Sequence, residues 1–115
     1  MFLLAAMPVL VAASERSTMP KGYLGDWSIG RERCAPGPGD NNNIRITVHR
    51  IREFERYMDV RTVRSTARNA IIVSGRIRHG DSVYENAMRL QLLENGTVLG
   101  VGEGEDYGNY VRCKQ

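Results

Sequence analysis

The chain has 115 residues, 42% of them hydrophobic and only 7% aromatic, and a formal net charge of +3. That length holds one domain with one modest core and leaves no room for a second. Twelve glycines among few aromatics fit a turn-rich β domain better than a helical bundle.

Met1 to Ala13 is apolar, with small residues at Ala12, Ala13 and Ser14. It reads as a signal peptide with its cleavage site, too short for the roughly 20 apolar residues of a membrane span. No Lys or Arg precedes its apolar core, so the natural start lies upstream or the signal is atypical. The competing reading is a short buried element. Residues 14–22 are polar with Pro20 and read as a flexible leader, and the single β domain is expected over 23–115. Export sets the location as periplasmic or secreted, where Cys34 and Cys113 most simply form one disulfide.

Trp27 and Ile29 open a first strand, and Ala35 to Asn43, rich in Gly and Pro, reads as a loop. Ile44, Ile46 and Val48 alternate with Arg45, Thr47 and His49, the period of a strand with one wet face. Val48 to Met58 is ambiguous, because Ile51, Phe54, Glu55 and Met58 also match helical spacing. Tyr57 to Val63 and Ala70 to Arg78 are further strands, followed by a turn at His79 to Ser82 and a strand through Tyr84, Met88, Leu90 and Leu92. Asn95-Gly96 tolerates the positive φ of a type I′ hairpin turn. Val98 to Val101 and Tyr107 to Cys113 complete about seven strands. The expected fold is an all-β antiparallel barrel or meander whose closure removes its edges.

Charge is divided along the chain. Ile44 to Arg78 carries nine Arg against three acids, and Asp81 to Asp106 carries one Arg against six acids. Neighbouring strands can pair much of this charge, each pair contributing tenths of a kcal/mol up to about 1. The functional reading is a basic face for an acidic partner, with Arg45, Arg61, Arg64 and Arg76 as candidates.

Catalytic and metal chemistry find no constellation. His49 and His79 lack further ligands at zinc spacing. Ser74 lacks a nucleophile elbow. Glu103, Glu105 and Asp106 sit among glycines as an acidic turn without the spacing of an EF-hand loop. Asn95-Gly96-Thr97 matches a glycosylation sequon that the hairpin turn already explains. Phe54 and Tyr57 are too few for a nucleic-acid stacking platform. No cofactor, metal, nucleic acid or transmembrane segment is expected.

Tyr23-Leu24-Gly25-Asp26-Trp27 resembles the Gly-x-Trp opening of calycin barrels, and Tyr110-Val111-Arg112-Cys113 supplies an Arg near the C-terminus. The resemblance implies that Arg112 stacks on Trp27 across a closed barrel end, with Gly25 permitting close backbone approach. The opening with Cys34 is similar to calycin-like periplasmic metalloprotease inhibitors, which use a mobile N-terminal trunk. A second Trp and a matching central Cys are absent, as is the Ser-Gly-x-x-Tyr loop of periplasmic lysozyme inhibitors. Across nearly all of the mature chain the sequence resembles uncharacterised small exported proteobacterial proteins with a Gly-x-Trp opening and a Tyr-x-Arg-Cys ending. The expected function is a non-enzymatic exported barrel that binds a protein or other acidic macromolecule, as a hydrolase inhibitor. It acts through the Arg-bearing strands or the leader. The alternatives are a carrier of a small apolar ligand and a structural envelope protein.

Overall fold

The computed structural model describes residues 15–34 and 43–113. The signal-peptide reading of Met1 to Ala13 and most of the Ala35 to Asn43 loop lie outside the described residues.

The chain is all-β. Nine strands are described: β1 (Glu15–Arg16), β2 (Gly25–Ser28), β3 (Asn43–Ile46), β4 (Arg50–Glu53), β5 (Arg56–Ala67), β6 (Ala70–His79), β7 (Ser82–Leu93), β8 (Val98–Glu103) and β9 (Asp106–Arg112). Strands β2 to β9 pair antiparallel in chain order. The β2–β9 contact closes them into an eight-stranded barrel, with β1 as an extra strand on β5. Two strands join the seven expected. One is β1, and the other is β4, where the ambiguous Val48 to Met58 stretch folds as a hairpin. Ile51 and Met58, seven residues apart and compatible with a helix face, are instead cross-strand partners in the core.

Period-2 alternation drives this closure. Ile71, Val73, Gly75 and Ile77 of β6 face inward against Met88 and Leu90 of β7, while Ile72, Ser74, Arg76 and Arg78 face outward. Trp27, Ile46, Ile51, Met58, Val63, Val73 and Leu99 are all at most 1% exposed and fill the interior. Each large apolar side chain buried this completely stabilises by about 1.5–3 kcal/mol relative to exposure.

Two backbone features fit the strands to the curve. A bulge between Val60 and Thr62 bends β5. At the same level Gly75 lets the two backbones approach so closely that an added Cβ would lie 2.1 Å from the Asp59 carbonyl oxygen. The β7–β8 turn falls at Asn95-Gly96, but its loop is four residues long, closed by the Leu93–Val98 pair. Glu94, Asn95 and Gly96 all take positive φ, and Thr97 Oγ1 donates to the Glu94 carbonyl at 2.7 Å.

The polar stretch read as a flexible leader pairs with the barrel at Glu15 and Arg16, which stay exposed, and is buried at Met19. Strand β4 pairs only with the first residues of β5, which leaves the second half of β5 as an open edge. There β1 sets Glu15 opposite Arg64 and Arg16 opposite Val63. Met19 is then buried, its N–H donating to the Val48 carbonyl at 2.9 Å, and Tyr23 is buried beside it.

Candidate functional site

Three polar arrangements stand out, and their partners separate scaffold from surface.

The first closes the barrel. The Arg112 guanidinium lies 4.2 Å from the centre of the Trp27 ring, a favourable cation–π geometry. Its Nε donates to the Gly96 carbonyl at 3.1 Å, Nη1 to Leu24 at 2.9 Å and Nη2 to Gly22 at 2.7 Å. Trp27 Nε1 donates to the Tyr23 carbonyl at 3.1 Å. Arg112 therefore ties the residues before β2, the β7–β8 turn and the last strand together, with each of its three nitrogens donating one bond. Gly25 takes φ of 126°, a left-handed value that a side chain disfavours. The Cys34–Cys113 disulfide, with a Cα–Cα distance of 5.5 Å, sits beside this seam.

The second arrangement lies on inward positions at the opposite end. Arg56 bonds Glu53 at 3.0 Å and also both carboxylate oxygens of Glu103. Asn86 Nδ2 donates to Glu103 at 2.8 Å, and Tyr84 accepts weakly from Arg56. One cation thus serves two carboxylates that are each about one-fifth exposed. Burial raises the Glu53 carboxyl above its ordinary value against the attraction of Arg56, and the Glu103 charge raises it further. The hydrogen bond to Glu103 raises the Arg56 guanidinium despite its burial. Tyr110 is raised by burial first and by Glu53 second. This network is satisfied from within.

The third arrangement is the outer face of β2 to β7, where register orders the charges into rows. Arg50, Asp59, Arg76 and Glu85 are successive cross-strand neighbours, so charge alternates along that row. Asp26, Arg45, Arg52, Tyr57, Arg78 and Val83 form the adjacent row, two residues away along each strand. In this second row Arg45 and Arg52 stand directly opposite each other, and one acid meets three arginines. Like charges in that position are destabilising.

The four arginines expected to bind a partner all lie on this outer surface, but three are engaged. Arg45 grips Asp26 with two bonds of 2.7 and 3.0 Å. Arg61 and Arg76 share Glu85 at 3.9 and 3.8 Å, and Arg64 sits across from Glu15. Among the described residues Arg52 and Arg78 have no acidic partner. They flank Tyr57, whose ring is held by Arg50 at 4.0 Å while Arg50 also bonds Asp59 at 2.9 Å. Arg52, Tyr57 and Arg78 border a concavity of about 300 Å³ that Glu53, Glu55, Arg56 and Gly80 complete. Sequence reasoning missed Arg52 because its side of the chain depends on β4 being a strand. It missed Arg78 because its neighbour, Val83 rather than an acid, is a matter of register.

A larger concavity of about 550 Å³ lies outside the barrel wall against the disulfide, lined by Val98, Val111 and Arg112 among others. No group of His, Cys, Asp and Glu among the described residues could hold a metal ion. No described helix is long and apolar enough to cross a membrane. No family model, curated protein or solved structure matches this chain.

Proposed function

We propose that this protein is a non-enzymatic exported domain that binds an acidic macromolecular partner through the outer face of β3 to β6, acting as an inhibitor of a hydrolase. The observation that carries this reading is a row compensated only at its start, where Arg45 bonds Asp26 while Arg52 and Arg78 have no acidic partner among the described residues. A sheet stabilised only by its own cross-strand pairs would alternate charge there, as the neighbouring row does. Instead Arg45, Arg52 and Arg78 are spaced across four strands around Tyr57. Guanidinium groups suit bidentate contacts to carboxylates, and Tyr and Arg are the residues that anchor interfaces.

The disulfide supports an oxidising location. A mobile-trunk mechanism draws no support, because Glu15 and Arg16 pair with β5 and Met19 is buried. An apolar-ligand carrier needs an interior void, whereas the interior positions are filled by Trp27, Ile46, Met58, Leu99 and their neighbours.

The test is an inhibition panel of secreted proteases, glycosidases and lysozymes, run with the oxidised protein at low and high salt. The reading expects at least one enzyme with an acidic surface to be inhibited near stoichiometry, with affinity falling as salt screens the face. Absence of both inhibition and binding at low salt across the panel would sink it.

A further inference from the structure

We infer that the concavity bordered by Arg52, Tyr57 and Arg78 is an anchor site for one carboxylate, carried on an acidic side chain of the partner protein. The inference rests on the basic-face reading above and narrows it to one place and one chemistry.

The donors line one concavity. Arg52 and Arg78 are two strands apart on one cross-strand row, about 10 Å between their backbones, and long guanidinium arms can close that gap onto one group. Tyr57 stands between them in the row, with the Arg50 guanidinium stacked on its ring. The Tyr57 hydroxyl bonds no described residue, so it adds a third donor.

Size argues for an anchor rather than a whole ligand. About 300 Å³ is the lower limit of ligand pockets, room for one or two side-chain ends. Charge argues for a monoanion. The lining carries Arg52, Arg56 and Arg78 against Glu53 and Glu55, a balance of +1 that one carboxylate neutralises. A dianionic phosphate would overcharge the same lining. Of the acids that line it, Glu53 holds Arg56, and neither Glu53 nor Glu55 lies within ion-pair distance of Arg52 or Arg78. That leaves Arg52 and Arg78 to an outside group. Their placement brings the fold no described ion pair and sets Arg52 against Arg45, a cost that a bound carboxylate reverses.

The experiment is an NMR titration of the oxidised protein at low salt with three capped peptides. These are glycine-flanked glutamate, its glutamine counterpart and its phosphoserine counterpart, observed at the arginine Nε–H and Tyr57 ring signals. The glutamate peptide is expected to shift the Arg52, Arg78 and Tyr57 signals, and the glutamine peptide to leave them in place. In R52Q/R78Q the affinity is expected to fall about 10- to 100-fold, and in Tyr57→Phe about two- to tenfold. K21Q/R68Q makes the same charge change away from the concavity and keeps the affinity within about fivefold. Trp27 fluorescence verifies that each variant is folded. Tighter binding of the phosphoserine peptide would overturn the carboxylate assignment. Binding of the glutamate peptide that survives R52Q/R78Q would overturn the anchor site and leave the basic-face reading standing. If the intact protein binds neither the peptide nor polyglutamate at low salt, the basic-face reading falls with it.

Discussion

Removing the disulfide is the most direct test of how the barrel is held shut. Strands β2 and β9 close the ring through only two residue pairs, Trp27 with Arg112 and Ser28 with Val111. The Cys113 N–H to Asp26 carbonyl bond of 2.8 Å extends the contact by one step. The disulfide clamps this seam across a sequence separation of 79 residues. In the chain-entropy model a loop of that length contributes about 4.5 kcal/mol by restricting the unfolded chain. For a domain of this size that corresponds to a fall in Tm of about 20–35 °C. The assay is urea unfolding of C34S/C113S beside the oxidised protein, followed by fluorescence of Trp27, the single tryptophan and fully buried at the closed end. The variant is expected to lose several kcal/mol and to show a larger m-value, because its denatured state is less compact. Hydrogen exchange at the amide of position 113 should accelerate more than at the centre of β6, since the seam opens first. A loss below about 1 kcal/mol would refute the reasoning, because a constraint on so long a loop has to exceed that value.

The inward Arg56 network gives two predictions. Arg56→Leu strands Glu53 and Glu103 together with no cation and should cost about 3–5 kcal/mol at neutral pH; the deficit should shrink in acid as the carboxyls protonate, and a pH-independent deficit would count against charge as the cause. Glu53 has its carboxyl raised, so between the ordinary value of 4.5 and its folded value the native state binds the extra proton. Stability from this group is therefore full below that window and is lost as pH rises through it. Glu53→Gln should flatten stability against pH there, read by urea unfolding at a series of pH values, and an unchanged slope would refute the assignment. Gly75→Ala drives a methyl to 2.1 Å from the Asp59 carbonyl oxygen at the bulge, and should cost about 1–3 kcal/mol or more. A thermal melt within a degree of the parent would show that β5 moves aside freely.

The barrel was legible where alternation ran long enough to be counted. Strands β3 and β5 to β9 announce themselves through residues such as Ile44 and Ile46 on either side of Arg45, or Ile71, Val73, Gly75 and Ile77 at alternate positions. Two-residue β1 has no period to detect, and its existence depends on β5 outrunning β4. The Ile51–Met58 spacing is degenerate between a helix face and a tight hairpin, and only the Phe54–Glu55 turn, with Glu55 at φ 67°, resolves it. Composition likewise indicated a basic region but could not distinguish paired arginines from unpaired ones. That distinction is made by register, which sets Arg76 against Glu85 and Arg78 against Val83 from residues two apart on the same strands.

The same logic explains why the charge division along the chain only partly cancels. Of the acids between Asp81 and Asp106, Glu85 reaches outward arginines and Glu103 reaches the inward Arg56. Antiparallel pairing brings β7 beside β6 but not beside β4, so no acid of the second half can lie opposite Arg52. Its direct neighbours, Arg45 and Tyr57, come from the basic half itself. Strand order thus isolates Arg52 from the acids that follow it, and Val83 denies Arg78 the neighbour that Arg76 has in Glu85. Substituting an acid at Val83 would give Arg78 a cross-strand acidic neighbour and stabilise the sheet by tenths of a kcal/mol to about 1. If the row exists to hold a carboxylate from outside, that same substitution places a competing carboxylate beside Arg78.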